Sequence, residues 1–324
     1  MDSSRKPTPP RAGMSPKSAM ELTGTGYGRS MAHSFTLIGV PIDSAGTAGG
    51  TELAPAALRD LGLGAIADSD RGDLQVRIRA GGRDPITGVV GLDDVCATTM
   101  GIRSAVSDTL SRGEVPFLIG GCCAMVPGAL AGVRDSGGRA SLVHLDGHLD
   151  LYDEVSSPLG EAADMPVTIA LGRGPARWID AAGGPSVQSS DTWIIGYRDR
   201  EQSELDGSLM PEDLNPPVNT LSTEEVRRLG AAQTGQRAAR ALESPAPWMW
   251  VHLDLDIVDP TLFFANDAPV LDGLDWEQVT DLLRPLCSSP ALAGFSLGCY
   301  NPEKDREEHN GHRIVEMFRA ALSP

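Results

Sequence analysis

Six short, almost uninterrupted apolar runs recur along the chain: FTLIGVP (35–41), PFLIG (116–120), SLVHLD (141–146), TWIIGY (192–197), MWVHLD (249–254) and GFSLGC (294–299). Near-continuous apolarity with β-branched and aromatic residues is the pattern of strands covered on both faces. Between them lie stretches of helical character: APAALRDLGL (54–63), DDVCATTMGIRSAVSDTLSRG (93–113), STEEVRRLG (222–230) and DWEQVTDLLRPL (275–286). Ser222 with Glu225, and Asp275 ahead of its apolar run, read as N-caps. Strands alternating with helices require a parallel sheet in an α/β fold. The 324 residues, 41% of them hydrophobic, suffice for one large core. No linker interrupts the pattern, so residues 34–324 are expected to form a single domain. Residues 1–33, rich in Pro, Ser, Gly and Arg and without periodicity, are expected to form a flexible N-terminal arm.

In open α/β sheets ligands bind at the carboxyl ends of the strands. The chemistry-bearing residues of this chain fall there. VHLD occurs twice and ends each time in an aspartate, Asp146 and Asp254. Further acids or imidazole follow at spacings of two: His148 and Asp150 after the first copy, Asp256 after the second. If the backbone stays extended, residues two apart share a side and these groups converge. Carboxylates gathered in one pocket raise one another's pKa and cannot all stay ionised without cations. Two divalent metals close together would resolve the conflict. Cys122 and Cys123 follow PFLIGG, and Cys299 ends GFSLGC, so four strand ends deliver Cys or Asp to one rim. His144 and His252 are expected to face the other way, as satisfied core histidines.

The formal charge of −17 argues against nucleic acid, which needs a basic footprint, and suits a cationic small molecule approaching an acidic cleft. Five cysteines without framework spacing indicate a reducing compartment. No apolar run reaches membrane-span length, and residues 1–33 lack the apolar segment of a secretory signal. A cytoplasmic location is expected.

Several segments, in order, resemble the ureohydrolase family of arginases, agmatinases and related amidinohydrolases. GVPIDSAGTAGGTELAPAALR (39–59) is similar to its glycine-rich opening. GGCCAM (120–125) stands where the family has Gly-Gly-Asp-His-Ser. DGHLD (146–150) is similar to Asp-Ala-His-x-Asp, and HLDLDIVDP (252–260) to Ser-x-Asp-x-Asp-x-x-Asp-Pro. IIGYRD (194–199) and YNPEKD (300–305) are similar to two further segments. The resemblance implies a three-layer α/β/α sandwich on a mostly parallel eight-stranded sheet, and trimers or hexamers. It also implies a binuclear manganese site. Asp146 and Asp254 would bridge both ions, Asp150 would complete one and hold the bridging hydroxide nucleophile, and His148 and Asp256 would complete the other.

The sixth family ligand is a histidine, and here that position is Cys123. A thiolate is softer than imidazole and turns preference toward zinc or iron. A cysteine there resembles the branch acting on N-hydroxylated arginine. Cys122 replaces an aspartate that orients a ligand. Ala163 replaces a histidine proton shuttle, Cys299 replaces a guanidinium-binding glutamate, and NDAP (266–269) replaces a threonine-rich segment. Glu161, Asp164 and Asp267 are the candidate replacements, because a carboxylate pairs with a planar guanidinium through two charge-assisted hydrogen bonds. Asp164 is equally a candidate N-cap for the MPVTIALG stretch. Glu201 falls near the acid that recognises an α-amino group in arginase-like members.

The expected function is metal-dependent hydrolysis of a C–N bond in a guanidine-like molecule, with N-hydroxyguanidines included. The alternatives are another metal-dependent reaction on the same scaffold, such as amide hydrolysis or cyclisation in specialised metabolism, or a non-catalytic partner protein.

Overall fold

The computed structural model describes residues 33–79, 82–243 and 248–322. The arm expected over residues 1–33 lies, except for His33, outside these. Eight strands follow in chain order: β1 (Phe35–Val40), β2 (Ser69–Asp73), β3 (Val115–Gly120), β4 (Ala140–Leu145), β5 (Thr192–Ile195), β6 (Asn219–Leu221), β7 (Trp248–Asp254) and β8 (Leu292–Gly298). They form one sheet in the order β2-β1-β3-β8-β7-β4-β5-β6, with every pairing parallel. The six apolar runs supply the six inner strands. The edges β2 and β6 carry no such run. Ser69–Asp73 is exposed throughout, and Asn219–Leu221 has three residues. A short or polar edge strand resists pairing with other chains, which is why neither has an apolar signature.

Alternate residues of the inner strands face opposite cores. Phe117, Ile119, Val143, Leu145, Val251 and Leu253 join one, with Ala238, Leu282 and Phe318 from helices Ala231–Leu242, Trp276–Cys287 and His309–Leu322. Leu118, Leu142, Ile194 and Trp250 join the other, with Ile102, Val106, Ala129 and Leu130 from helices Leu92–Ser111 and Val126–Asp135. The result is an α/β/α sandwich. Phe117, Phe295 and Phe318 meet in the first core, with Phe295 edge-on to both partners at centroid distances of 5.3 and 5.2 Å. Burying each such ring contributes roughly 1.5–3 kcal/mol. In the second core the two helices approach closely across Gly128, where a Cβ would stand 2.7 Å from the Thr99 carbonyl oxygen.

Both expected N-caps form. Ser222 Oγ accepts the Glu225 amide at 3.3 Å while Glu225 Oε2 accepts the Ser222 amide at 2.9 Å. Asp275 Oδ1 accepts the Gln278 amide at 2.8 Å. Asp164 caps nothing: helix Pro166–Ala170 begins after Met165 without a side-chain cap. Its carboxylate instead accepts the Ser157 hydroxyl. Among the described residues no helix is long and apolar enough to cross a membrane.

Candidate metal centre

β4 and β7 are neighbours, in a register that pairs Val143 with Val251, His144 with His252 and Leu145 with Leu253. The two VHLD stretches therefore lie side by side, and Asp146 and Asp254 emerge together. β8 flanks β7 and leads into Cys299; β3 flanks β8 and leads into Cys122 and Cys123. The four central strands deliver their polar ends to one rim.

Convergence beyond the strands comes from turns, not from the extended backbone expected. Asp146 Oδ1 accepts the His148 amide at 2.7 Å, and Asp150 takes a left-handed conformation (φ 52°). Asp254 Oδ1 accepts the Asp256 amide at 2.8 Å at the head of a one-turn 3₁₀ helix. Asp256 Oδ1 in turn accepts the Gly147 amide at 2.9 Å and ties the two segments together. Cys299 is also left-handed (φ 66°), its amide donating to the Gly121 carbonyl at 2.8 Å. Non-glycine residues held there store strain, which clusters at functional sites.

The side chains form a compact buried set. Cys123 Sγ lies 2.6 Å from Asp254 Oδ2, 3.8 Å from Asp146 Oδ2 and 3.7 Å from Cys299 Sγ. His148 Nδ1 lies 2.9 Å from Asp256 Oδ2 and 3.5 Å from Asp146 Oδ1. The expectation for the strand histidines is corrected. Residues two apart in a strand share a face, so His144 points with Asp146. Its Nε2 lies 2.9 Å from Asp146 Oδ2 and 3.1 Å from Asp150 Oδ2. His252 stacks on His144 with centroids 5.1 Å apart. His144 Nδ1 and His252 Nε2, both buried, have no hydrogen-bond partner among the described residues.

Electrostatics reflects a surplus of buried acid. Burial, then Asp146, pushes Asp150 up to about 8. Burial, then Asp256 and Asp146, raises Asp254 well above the usual carboxylate range. Burial would raise Asp146 too, but His144 and His148 outweigh it and hold that carboxyl well below the usual range. Burial pulls His144 down, yet Asp146 and Asp150 prevail and hold it at about 10.

The donors fit divalent cations. Cys123, Asp146 and Asp150 offer ligand atoms within 4.8 Å of one another, as do Asp146, His148 and Asp256, and Cys123, His252 and Asp254. Asp146 and Cys123 each belong to two of these groups, as a ligand between neighbouring ions must. Oxygen, imidazole and thiolate donors together suit first-row divalent ions.

Above the donors lies a cavity of about 390 Å³. Cys123, His148, Asp150, Glu161, Ala163, Asp164, Asp254, Asp256, Asp267 and Cys299 line it. The acids differ in their partners. Asp267 is paired with Lys304 Nζ at 2.6 Å and accepts Asn301 Nδ2 at 3.0 Å. Among the described residues Glu161 accepts only the Ser44 hydroxyl, at 2.8 Å, and burial raises its pKa. Glu201 is not brought to the cavity; it is exposed on helix Arg200–Leu205. Sequence reasoning missed Asp43, Ser44 and Arg198. Asp43 Oδ2 holds its own loop through the Thr47 and Gly49 amides, each at 3.0 Å. Arg198 clamps the Asp256 carbonyl at 2.6 Å and the Val270 carbonyl at 2.8 Å. The glycine-rich opening motif was the available signal for the first two.

An all-parallel α/β/α sandwich with clustered carboxylate, imidazole and thiol donors at its central strand ends defines a metallohydrolase-type architecture. The arginase family matches residues 33–322, and the chain belongs to it. An arginase of Brevibacillus brevis is 28% identical over 299 residues, covering 90% of this chain and 98% of that protein. The native structure of Bacillus caldovelox arginase superposes with a TM-score of 0.78 at 22% identity, covering 90% and 98% of the two chains. Proclavaminate amidino hydrolase from Streptomyces clavuligerus superposes with a TM-score of 0.61 at 20% identity, covering 90% of each. Cys123 lies in this cluster where the family has histidine.

Proposed function

We propose that the chain hydrolyses a C–N bond in a small guanidine- or amidine-bearing cation, with two divalent ions held by Cys123, Asp146, His148, Asp150, Asp254 and Asp256, manganese the first candidate and zinc or iron favoured by the thiol. The observation that carries this reading is the sharing of Asp146 between two donor groups at the floor of a cavity, in a chain of the arginase family. When bound, the ions supply Lewis acidity and acidify water.

The chain's own residues do the rest. Asp150, held by His144 Nε2, faces the cavity and accepts a proton at its carboxylate. Glu161, engaged among the described residues only by Ser44, lines the cavity and can pair with a planar cation. Asp267 is already neutralised by Lys304 and serves the rim. Asp164, tied to Ser157, holds the loop that carries Glu161. Ala163 brings a methyl group to the cavity and no proton, so the leaving nitrogen must be a good leaving group or take its proton from Asp150 or Glu161. An N-hydroxyguanidine meets the first condition. The second reading is a different metal-dependent reaction on the same scaffold, amide hydrolysis or cyclisation.

Metal analysis of the purified, reconstituted protein is expected to find close to two divalent ions per chain. A panel of guanidines, N-hydroxyguanidines and amidines, assayed for urea-type or ammonia product, is expected to contain a substrate. Absence of bound metal would sink the metal reading; turnover of simple amides alone would move the assignment to the second.

A further inference from the structure

The two ring nitrogens of His252 stand in different surroundings. Nδ1 lies 2.7 Å from Ser296 Oγ, and Trp250 Nε1 donates to the same oxygen at 2.9 Å. Nε2 is buried in a residue of zero exposure and has no hydrogen-bond partner among the described residues. A serine oxygen has two lone pairs, so Ser296 can accept from Trp250 and His252 together. In the tautomer that donates from Nδ1 to Ser296, the Nε2 lone pair is bare. Metal-ligating histidines adopt this arrangement, donating from one nitrogen to an outer partner while the other binds the ion. A buried polar atom without a partner is costly, and a bound ion is one of the groups that satisfies it. The stack on His144, with an interplanar angle of 16°, sets the ring plane.

A ring nitrogen of His252, Cys123 Sγ and an Asp254 oxygen all lie within 4.8 Å of one another. We propose that His252 is itself a metal ligand, completing with Cys123 and Asp254 a sulfur–nitrogen–oxygen centre for a zinc-like divalent ion. Asp146, His148 and Asp256 make the neighbouring, harder group, and Asp146 with Asp150 also groups with Cys123. Thiolate and imidazole favour zinc over manganese, so the two centres differ in metal preference. This rests on the metal reading above but not on any particular reaction.

The test uses the full chain, stripped with a chelator and titrated with Zn²⁺ and with Co²⁺ as a spectroscopic probe. Wild type is expected to hold two ions and to show thiolate-to-cobalt absorption. His252→Ala and His252→Gln are expected to hold one ion and lose that absorption. His148→Ala is expected to hold one ion and keep it. In ¹⁵N-histidine-labelled wild type, zinc is expected to shift the His252 Nε2 resonance, a readout that stands even if the His252 variants fail to fold. Two ions bound in His252→Ala at unchanged affinity, or an unmoved Nε2 resonance in zinc-loaded wild type, overturns the proposal and leaves the hydrolase reading intact. A wild type that binds no metal overturns both.

Discussion

At the scale of single residues, the site depends on groups one step removed from the ions. His144 is buried, and its Nε2 reaches Asp146 and Asp150 at once. Removing it frees two carboxylates to rotate without touching a metal. Outer partners of this kind typically carry 10–100-fold in metal affinity. His144→Ala is therefore expected to weaken ion binding by about 10–100-fold, measured by chelator competition; unchanged affinity would make His144 a packing residue only. Glu161 is tested by Glu161→Gln, which keeps the shape and the Ser44 contact but removes the charge. For a cationic substrate kcat/KM is expected to fall roughly 10–100-fold, from a charge-assisted hydrogen bond of about 1.5–3 kcal/mol. Loss confined to KM would mark uniform binding. No change would transfer recognition to another wall.

At the scale of elements, local signals were read well where the residue satisfied its own backbone. The capping box at Ser222 and Glu225 is a closed four-residue device and formed as its letters indicate. Ser222→Ala is expected to cost about 1 kcal/mol, seen as a shifted midpoint in urea denaturation with unchanged slope. Asp164 shows the converse. An aspartate ahead of an apolar run reads as a cap, but Ser157, seven residues away, offers a hydroxyl donor, and the chain starts its helix one residue later at Pro166. Edge strands β2 and β6 were invisible because their pairing rests on one neighbour and buries little apolar surface.

At the scale of the whole molecule, the four central strands hold Asp146, Asp150, Asp254 and Asp256 in a buried group that folding alone does not favour. Ions bound only by the folded state stabilise it by mass action, by about 2.7 kcal/mol at a hundred times the dissociation constant. Chelation is expected to lower Tm by several degrees, and re-addition of the cation to restore it. A melting curve indifferent to chelator would mean that protons suffice to hold the site.

The sequence by itself determined the strand–helix alternation, the six inner strands and the identity of the donors, because apolar periodicity and residue chemistry are local properties. It also carried the departures at Cys123, Ala163 and Cys299, which are visible letter by letter. Only the tertiary structure decided how those letters meet. The register of β4 on β7 set Asp146 beside Asp254. The left-handed turns at Asp150 and Cys299 aimed their side chains inward. Lys304 paired with Asp267, while Glu161 accepted only the Ser44 hydroxyl among the described residues. The local contact of His144 with Asp150 and the long-range pairing of His252 with Ser296 engaged one nitrogen of each imidazole and left the other without a partner among the described residues. Apart from those local turns and the His144–Asp150 contact, these are interactions between strands and loops distant along the chain, and no short window of sequence contains both partners.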